Sequence, residues 1–124
     1  MATRRMISDL VLESDAFLEM PLSAQALYTH LILQADGWGF LSSLNNTRRM
    51  IGASQEDVDC LEKNGFIIRF KGTPVVCIAH WNMMNSLKDR GRSEFPEKKL
   101  VKQDGGMYVL RSGKDDWDDD ADSF

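Results

Sequence analysis

Apolar residues along this chain change their spacing several times, and each change marks an element. Ala24, Leu27, Tyr28, Leu31 and Ala35 fall three and four apart, which puts them on one side of an α-helix capped by Ser23. Upstream, Ser14 to Met20 reads as one helical turn that ends before Pro21, and Arg5-Met6-Ile7 as a short strand or arm. Asp36-Gly37-Trp38-Gly39 is a turn, and Phe40-Leu41 a short strand. Two brief helical patterns follow. The first starts at the amide cap Asn45 and stops at Gly52; the second starts at Ser54, with Asp57 completing a capping box, and stops at Asn64-Gly65. Only Gly52-Ala53 separates them. The spacing then shortens to that of strands: Phe66 to Phe70 and Val75 to Ile78 are β-branched and aromatic runs flanking the turn Lys71-Gly72-Thr73-Pro74.

The order helix, strand, helix, helix, hairpin predicts an α+β fold, a winged helix-turn-helix over residues 1–81, with a three-helix core and a small antiparallel β-hairpin as the wing. Over residues 82–110 the pattern weakens, and a partly ordered basic extension with one short helix from Asn82 to Lys88 is expected. Residues 111–124 combine low apolar content with dense charge, which predicts a disordered acidic tail.

Composition narrows the function classes. A chain of 124 residues with 43% hydrophobic content can bury one modest core. No apolar run is long enough to cross a bilayer, and Met1-Ala2-Thr3-Arg4-Arg5 lacks the apolar segment of a secretion signal, so no membrane partner and a cytoplasmic location are expected. Cys60 and Cys77 read as reduced core residues, and neither has neighbours at a zinc-ligand spacing. His30 and His80 have no nucleophile or carboxylate arranged around them, and Gly37-Trp38-Gly39 is not followed by the Lys-Ser/Thr or helix start of a phosphate cradle. With no catalytic constellation, metal site or cofactor motif, a binding module rather than an enzyme is expected.

Charge is distributed unevenly. Of the 19 Asp and Glu, six lie in the tail from Asp115 to Asp122, which leaves 13 against 15 Lys and Arg through Lys114, or +2. An acidic total therefore does not exclude a nucleic-acid partner. The second motif helix, the one a winged helix ordinarily lays in the major groove, carries Glu56, Asp57, Asp59 and Glu62 against Lys63 alone. Phosphates repel such a helix, so it reads as a solvated or protein-facing surface with Val58 and Leu61 turned inward. DNA contacts are assigned instead to Arg48 and Arg49, to Arg69 and Lys71 of the wing, and to Lys88, Arg90 and Arg92. These are phosphate contacts, which predict salt-sensitive binding with little sequence preference.

From Arg5 to Arg90 the chain resembles the N-terminal domain of phage replisome organisers, the DnaD-like primosome proteins. The resemblance rests on Arg5-Met6-Ile7-Ser8, on the run from Phe17 to Tyr28, and on Arg49-Met50-Ile51-Gly52-Ala53-Ser54. Gly65-Phe66-Ile67, the run from Val75 to Trp81, and Lys88-Asp89-Arg90 add to it. The chain departs from the family where Gly91-Arg92-Ser93 replaces an aromatic and a Pro-Thr, and the family's larger C-terminal domain has no counterpart in these residues. The resemblance implies a winged-helix module in a bacterial host cell that binds DNA or self-associates, as a homodimer for example, and helps recruit the replicative helicase or its loader.

The tail, with Trp117, Asp118, Asp119, Asp120 and a terminal Phe124, resembles the acidic tip of bacterial single-stranded DNA-binding proteins, with Ser123 where that tip has Pro. This implies a peptide whose Phe124 ring fills a pocket while its carboxylates meet a basic rim. Solubilisation, or folding back over the basic residues, are the other roles open to it. Two functional expectations result. One is a phage or prophage accessory replication protein that binds DNA weakly and recruits a host or phage replication protein. The other is a winged-helix inhibitor or DNA mimic, such as an anti-defence protein, acting on a host nucleic-acid-binding protein through Glu56, Asp59, Glu62 and the tail.

Overall fold

Serine hydroxyls start three of the helices in the computed structural model, which describes residues 6–85, 95–104 and 107–111. Ser8 accepts from the Leu10 N–H to open α1 (Asp9–Leu12), and Ser14 accepts from Phe17 N–H to open α2 (Asp15–Leu18). Ser54 and Asp57 form the expected reciprocal capping box at the start of α5 (Gln55–Lys63). Between these lie α3 (Leu22–Gln34), β1 (Phe40–Leu41) and α4 (Leu44–Ile51). After them come β2 (Ile67–Arg69), β3 (Val76–Ile78), α6 (Trp81–Met84), a 3-10 helix over Pro96–Leu100, β4 (Val101–Asp104) and β5 (Met107–Leu110).

Two expected caps belong to other residues. The helix α3 starts at Leu22 behind Pro21, and the Ser23 hydroxyl donates to Asp57 Oδ1 at 2.8 Å, tying α3 to α5. Likewise α4 starts at Leu44 behind Ser43, without a side-chain cap, and Asn45 and Asn46 are exposed on its first turn. Burial decides the second case, because Leu44 is 6% exposed and joins the core from inside the helix. Met6 and Ile7 form no strand; the Met6 N–H donates to Asn85 Oδ1 at 3.0 Å, and α1 follows at once. The left-handed Gly52 ends α4, and the Ala53 N–H returns to the Arg48 carbonyl at 3.0 Å.

The three strands nearest the helices form an antiparallel sheet in the order β1-β3-β2, with Phe40 and Ile68 both opposite Cys77. Every residue of the central strand is buried. One face of α3 supplies Ala24, Leu27, Tyr28, Leu31 and Ile32 to the core, and α5 supplies Val58 and Leu61. Phe17, Tyr28 and Phe66 meet edge to face with ring centroids 5.5–5.6 Å apart, a geometry that adds to plain burial. The Tyr28 hydroxyl is enclosed there with no hydrogen-bond partner among the described residues, and burial pushes its phenol pKa far up.

A second antiparallel pair, β4-β5, is registered from Val101 opposite Leu110 to Asp104 opposite Met107. Val101 and Tyr108 belong to the same core cluster as the helices. The Tyr108 N–H donates to the Ala79 carbonyl, and its hydroxyl to the Trp38 carbonyl, each at 2.8 Å. Trp81 Nε1–H donates to the Gly37 carbonyl at 2.9 Å, so the turn before β1 is held from two sides. The described residues thus make a mixed α+β fold with two small antiparallel sheets, and none of their helices is long and apolar enough to cross a membrane.

Candidate functional site

The residues singled out for binding gather around α4, the two-residue turn Gly52-Ala53, α5 and the β2-β3 hairpin. Asp57 points inward. Its carboxylate accepts from the Ser54 N–H at 2.9 Å and from the Ser23 hydroxyl at 2.8 Å. Burial pushes its pKa up, but the hydrogen bonds from the Ser54 backbone, the Ser23 hydroxyl and Ser54 outweigh that and leave it below the usual carboxylate value. The outward charge of α5 therefore comes from Glu56, Asp59 and Glu62 against Lys63, all exposed.

Arg69, on the last residue of β2, reaches back to that acidic face. Its Nη1 stands 3.4 Å from Asp59 Oδ1 and 3.5 Å from Glu62 Oε1. These are half-exposed pairs, worth little to stability, yet they cancel charge where a wing would meet phosphate. Arg48 is also occupied: it is half-buried and its Nη1 donates to the Ala53 carbonyl at 3.1 Å, bracing the turn between α4 and α5. Its Nε is buried without a hydrogen-bond partner among the described residues. Arg49 is exposed near the end of α4, and Lys71 is exposed in the hairpin turn. The structure thus brings Arg69 to Asp59 and Glu62, holds Arg48 at the turn between α4 and α5, and leaves Glu56, Arg49, Lys63 and Lys71 exposed on these elements. Lys88, Arg90 and Arg92, and Trp117, Asp118, Asp119, Asp120 and Phe124, lie outside the described residues.

Two features of the surroundings lie beyond the expectations drawn from the sequence. Lys98, which counts as a basic residue of the extension, is 7% exposed, with Nζ 4.3 Å from the centroid of the Trp38 ring. The β4-β5 hairpin is the second, and its signal was present: Val101 to Asp104 and Met107 to Leu110 flank Gly105-Gly106, a two-residue hairpin sequence. His80 sits half-buried with its ring 5.1 Å from that of Phe66 and with Nδ1 enclosed and unpartnered among the described residues; burial holds its pKa below the ordinary value. Cys60 and Cys77 are free thiols, and burial, with a smaller push from the Asp36 charge, raises the pKa of Cys77 well above the usual thiol value. Among the described residues no three His, Cys, Asp or Glu side chains converge to hold a metal ion.

What this arrangement can do is present an acidic helix beside a hairpin whose one strand arginine is already paired. No protein-family model, no curated protein and no solved structure matches the chain.

Proposed function

We propose that α3, α4 and α5 with the β1-β3-β2 sheet form a winged helix-turn-helix, the β2-β3 hairpin being its wing. The protein then serves as a replisome-organiser-like accessory replication factor that recruits its machinery by protein contact and touches DNA only weakly, through phosphates. The observation that carries this reading is the pairing of Arg69 with Asp59 and Glu62. An acidic motif helix that draws in the strand arginine of its own wing is unsuited to the major groove and suited to a basic protein surface. The resemblance to replisome organisers supplies the replication context.

The test is fluorescence anisotropy on duplex and single-stranded DNA across a salt series, with the full chain and with a chain ending at Lys114. Weak binding that falls steeply with salt is expected. Replacing Arg49 and Lys71 together by Glu should reduce the salt slope by about 2, one for each lost phosphate contact. Asp59→Asn with Glu62→Gln should tighten DNA binding by releasing Arg69. If neither chain binds DNA at low salt, the DNA contact is ruled out. The second reading, an inhibitor or DNA mimic, then stands on the exposed Glu56, Asp59 and Glu62.

A further inference from the structure

Val11, Phe17, Met20 and Ala24 turn inward from the first three helices and the turn between them, while leucines of the same turns stay outside. Leu10 is 74% exposed, Leu18 57% and Leu22 81%. Leu18 and Leu22 flank the corner at Pro21, and Leu10 lies on the adjoining α1. Two side chains hold this corner together. The Ser14 hydroxyl donates to the Val11 carbonyl at 2.7 Å, which ties the start of α2 to α1. The Gln25 amide donates to the Met20 carbonyl at 2.9 Å and reaches the Leu18 carbonyl at 3.4 Å, which folds the end of α2 against α3.

The charge around these leucines is all of one sign. From Met6 to Thr47 the chain has no Lys or Arg. Asp9, Glu13, Asp15 and Glu19 are exposed, and none has an ion-pair partner among the described residues. Asp9 and Asp15 lie in the first turns of α1 and α2, where a negative charge favours the helix. Glu13 and Glu19 do not share that benefit. Each is the C-cap of its helix, where its charge meets the negative helix end, and neither helix has a basic residue in its last turn. Exposed leucines edged by carboxylates that do nothing for their own helices are the mark of a surface kept for a partner.

We infer that this corner binds an amphipathic helix of a basic protein, with the apolar side of that helix on Leu10, Leu18 and Leu22 and its Lys or Arg side chains toward Glu13 and Glu19. Charge selects the occupant. Four unopposed carboxylates repel nucleic acid and anionic lipid, and a second copy of the chain would bring the same acids against themselves. The corner is built of helices alone, so it offers side chains rather than a strand edge. Apolar anchors met by one face of a helix, with opposite charge at the margin, are the recognition mode that such a surface fits. The surface lies on α1, α2 and the start of α3, not on the acidic face of α5, and the inference does not rest on the proposed replication role.

Fluorescence anisotropy with the full chain and two short labelled peptides of leucine and lysine tests it. In the first peptide the leucines fall three and four apart and share one helical face; in the second the same residues are reordered so that they do not. The first should bind at least about ten-fold more tightly, although both carry the same charge. Leu10→Ser with Leu18→Ser and Leu22→Ser, and separately Glu13→Lys with Glu19→Lys, should each weaken the first peptide at least about ten-fold, with circular dichroism establishing that both variants are folded. Equal binding of the two peptides means that charge alone attracts them and overturns the proposal, as does no binding of the first. Wild-type affinity in the leucine variant places the peptide elsewhere on the chain and overturns it too. Weakening in the leucine variant without weakening in the lysine variant overturns the basic character assigned to the partner.

Discussion

At the scale of single residues, the polar groups turned inward set how the protein responds to acid. His80 has its Nδ1 enclosed and its pKa depressed by burial, so the native state favours the neutral ring. The unfolded chain binds a proton at about pH 6.5 and the folded chain binds it only lower. The stability contributed by neutral His80 is therefore complete above that value and declines as pH falls through it. Asp57 acts later and through the opposite charge state. Its pKa is lowered by the net effect of hydrogen bonds over burial, so its contribution is complete above the unfolded value of about 3.9 and is lost as pH falls toward the depressed folded value. Urea midpoints measured from about pH 8 to pH 3 should fall in two stages. His80→Phe should remove the first stage and keep the second, since the phenyl ring retains the contact with Phe66 but cannot titrate. Persistence of the upper stage in that variant would assign it to another group.

At the scale of elements, close approach governs the turn before β1. Gly39 has φ +90°, and a Cβ there would stand 2.6 Å from Trp81 Cγ and 2.7 Å from Trp81 Cβ. Its carbonyl also accepts from the Ile78 N–H at 2.8 Å, so the backbone cannot simply move away without losing a sheet bond. Gly39→Ala should therefore cost about 3 kcal/mol or more, read as a lowered urea midpoint, since a left-handed conformation and a steric clash act together. The turn itself was legible from Asp36-Gly37-Trp38-Gly39, and so was the capping box at Ser54 and Asp57, because both are written in local residues. The burial of Val58 and Leu61 followed from helical spacing in the same way. What local pattern could not give was the partner of a polar side chain. Ser23 suits a cap by composition but meets Asp57 across 34 positions of chain, and Arg69 suits a phosphate contact but meets Asp59 and Glu62 first. Each of those outcomes depends on how α5 packs against α3 and β2, which no window of sequence contains.

At the scale of the whole molecule, the stretch after the first sheet completes the core. Its sequence pattern is weak because only one residue of each strand is buried, Val101 and Tyr108, while Lys102, Gln103, Met107 and Val109 are half-buried and Leu110 is exposed. Yet Tyr108 joins three parts of the fold at once. Its ring meets Phe40 of β1 edge to face at 5.6 Å, its hydroxyl holds the carbonyl of Trp38, and its N–H holds that of Ala79 just before α6. A side chain so placed couples the second hairpin to the first sheet, and the two should melt as one unit. Urea unfolding followed by Trp fluorescence, which senses Trp38 and Trp81, and by far-ultraviolet circular dichroism should give coincident transitions. Tyr108→Ala leaves a cavity beside Phe40 and frees the Trp38 carbonyl, and should lower stability by about 4 kcal/mol with both signals shifting together. If fluorescence shifts while circular dichroism holds its original midpoint, the hairpin is a separate unit laid against the core, and residues 82–110 are an extension in the thermodynamic sense as well as in sequence pattern.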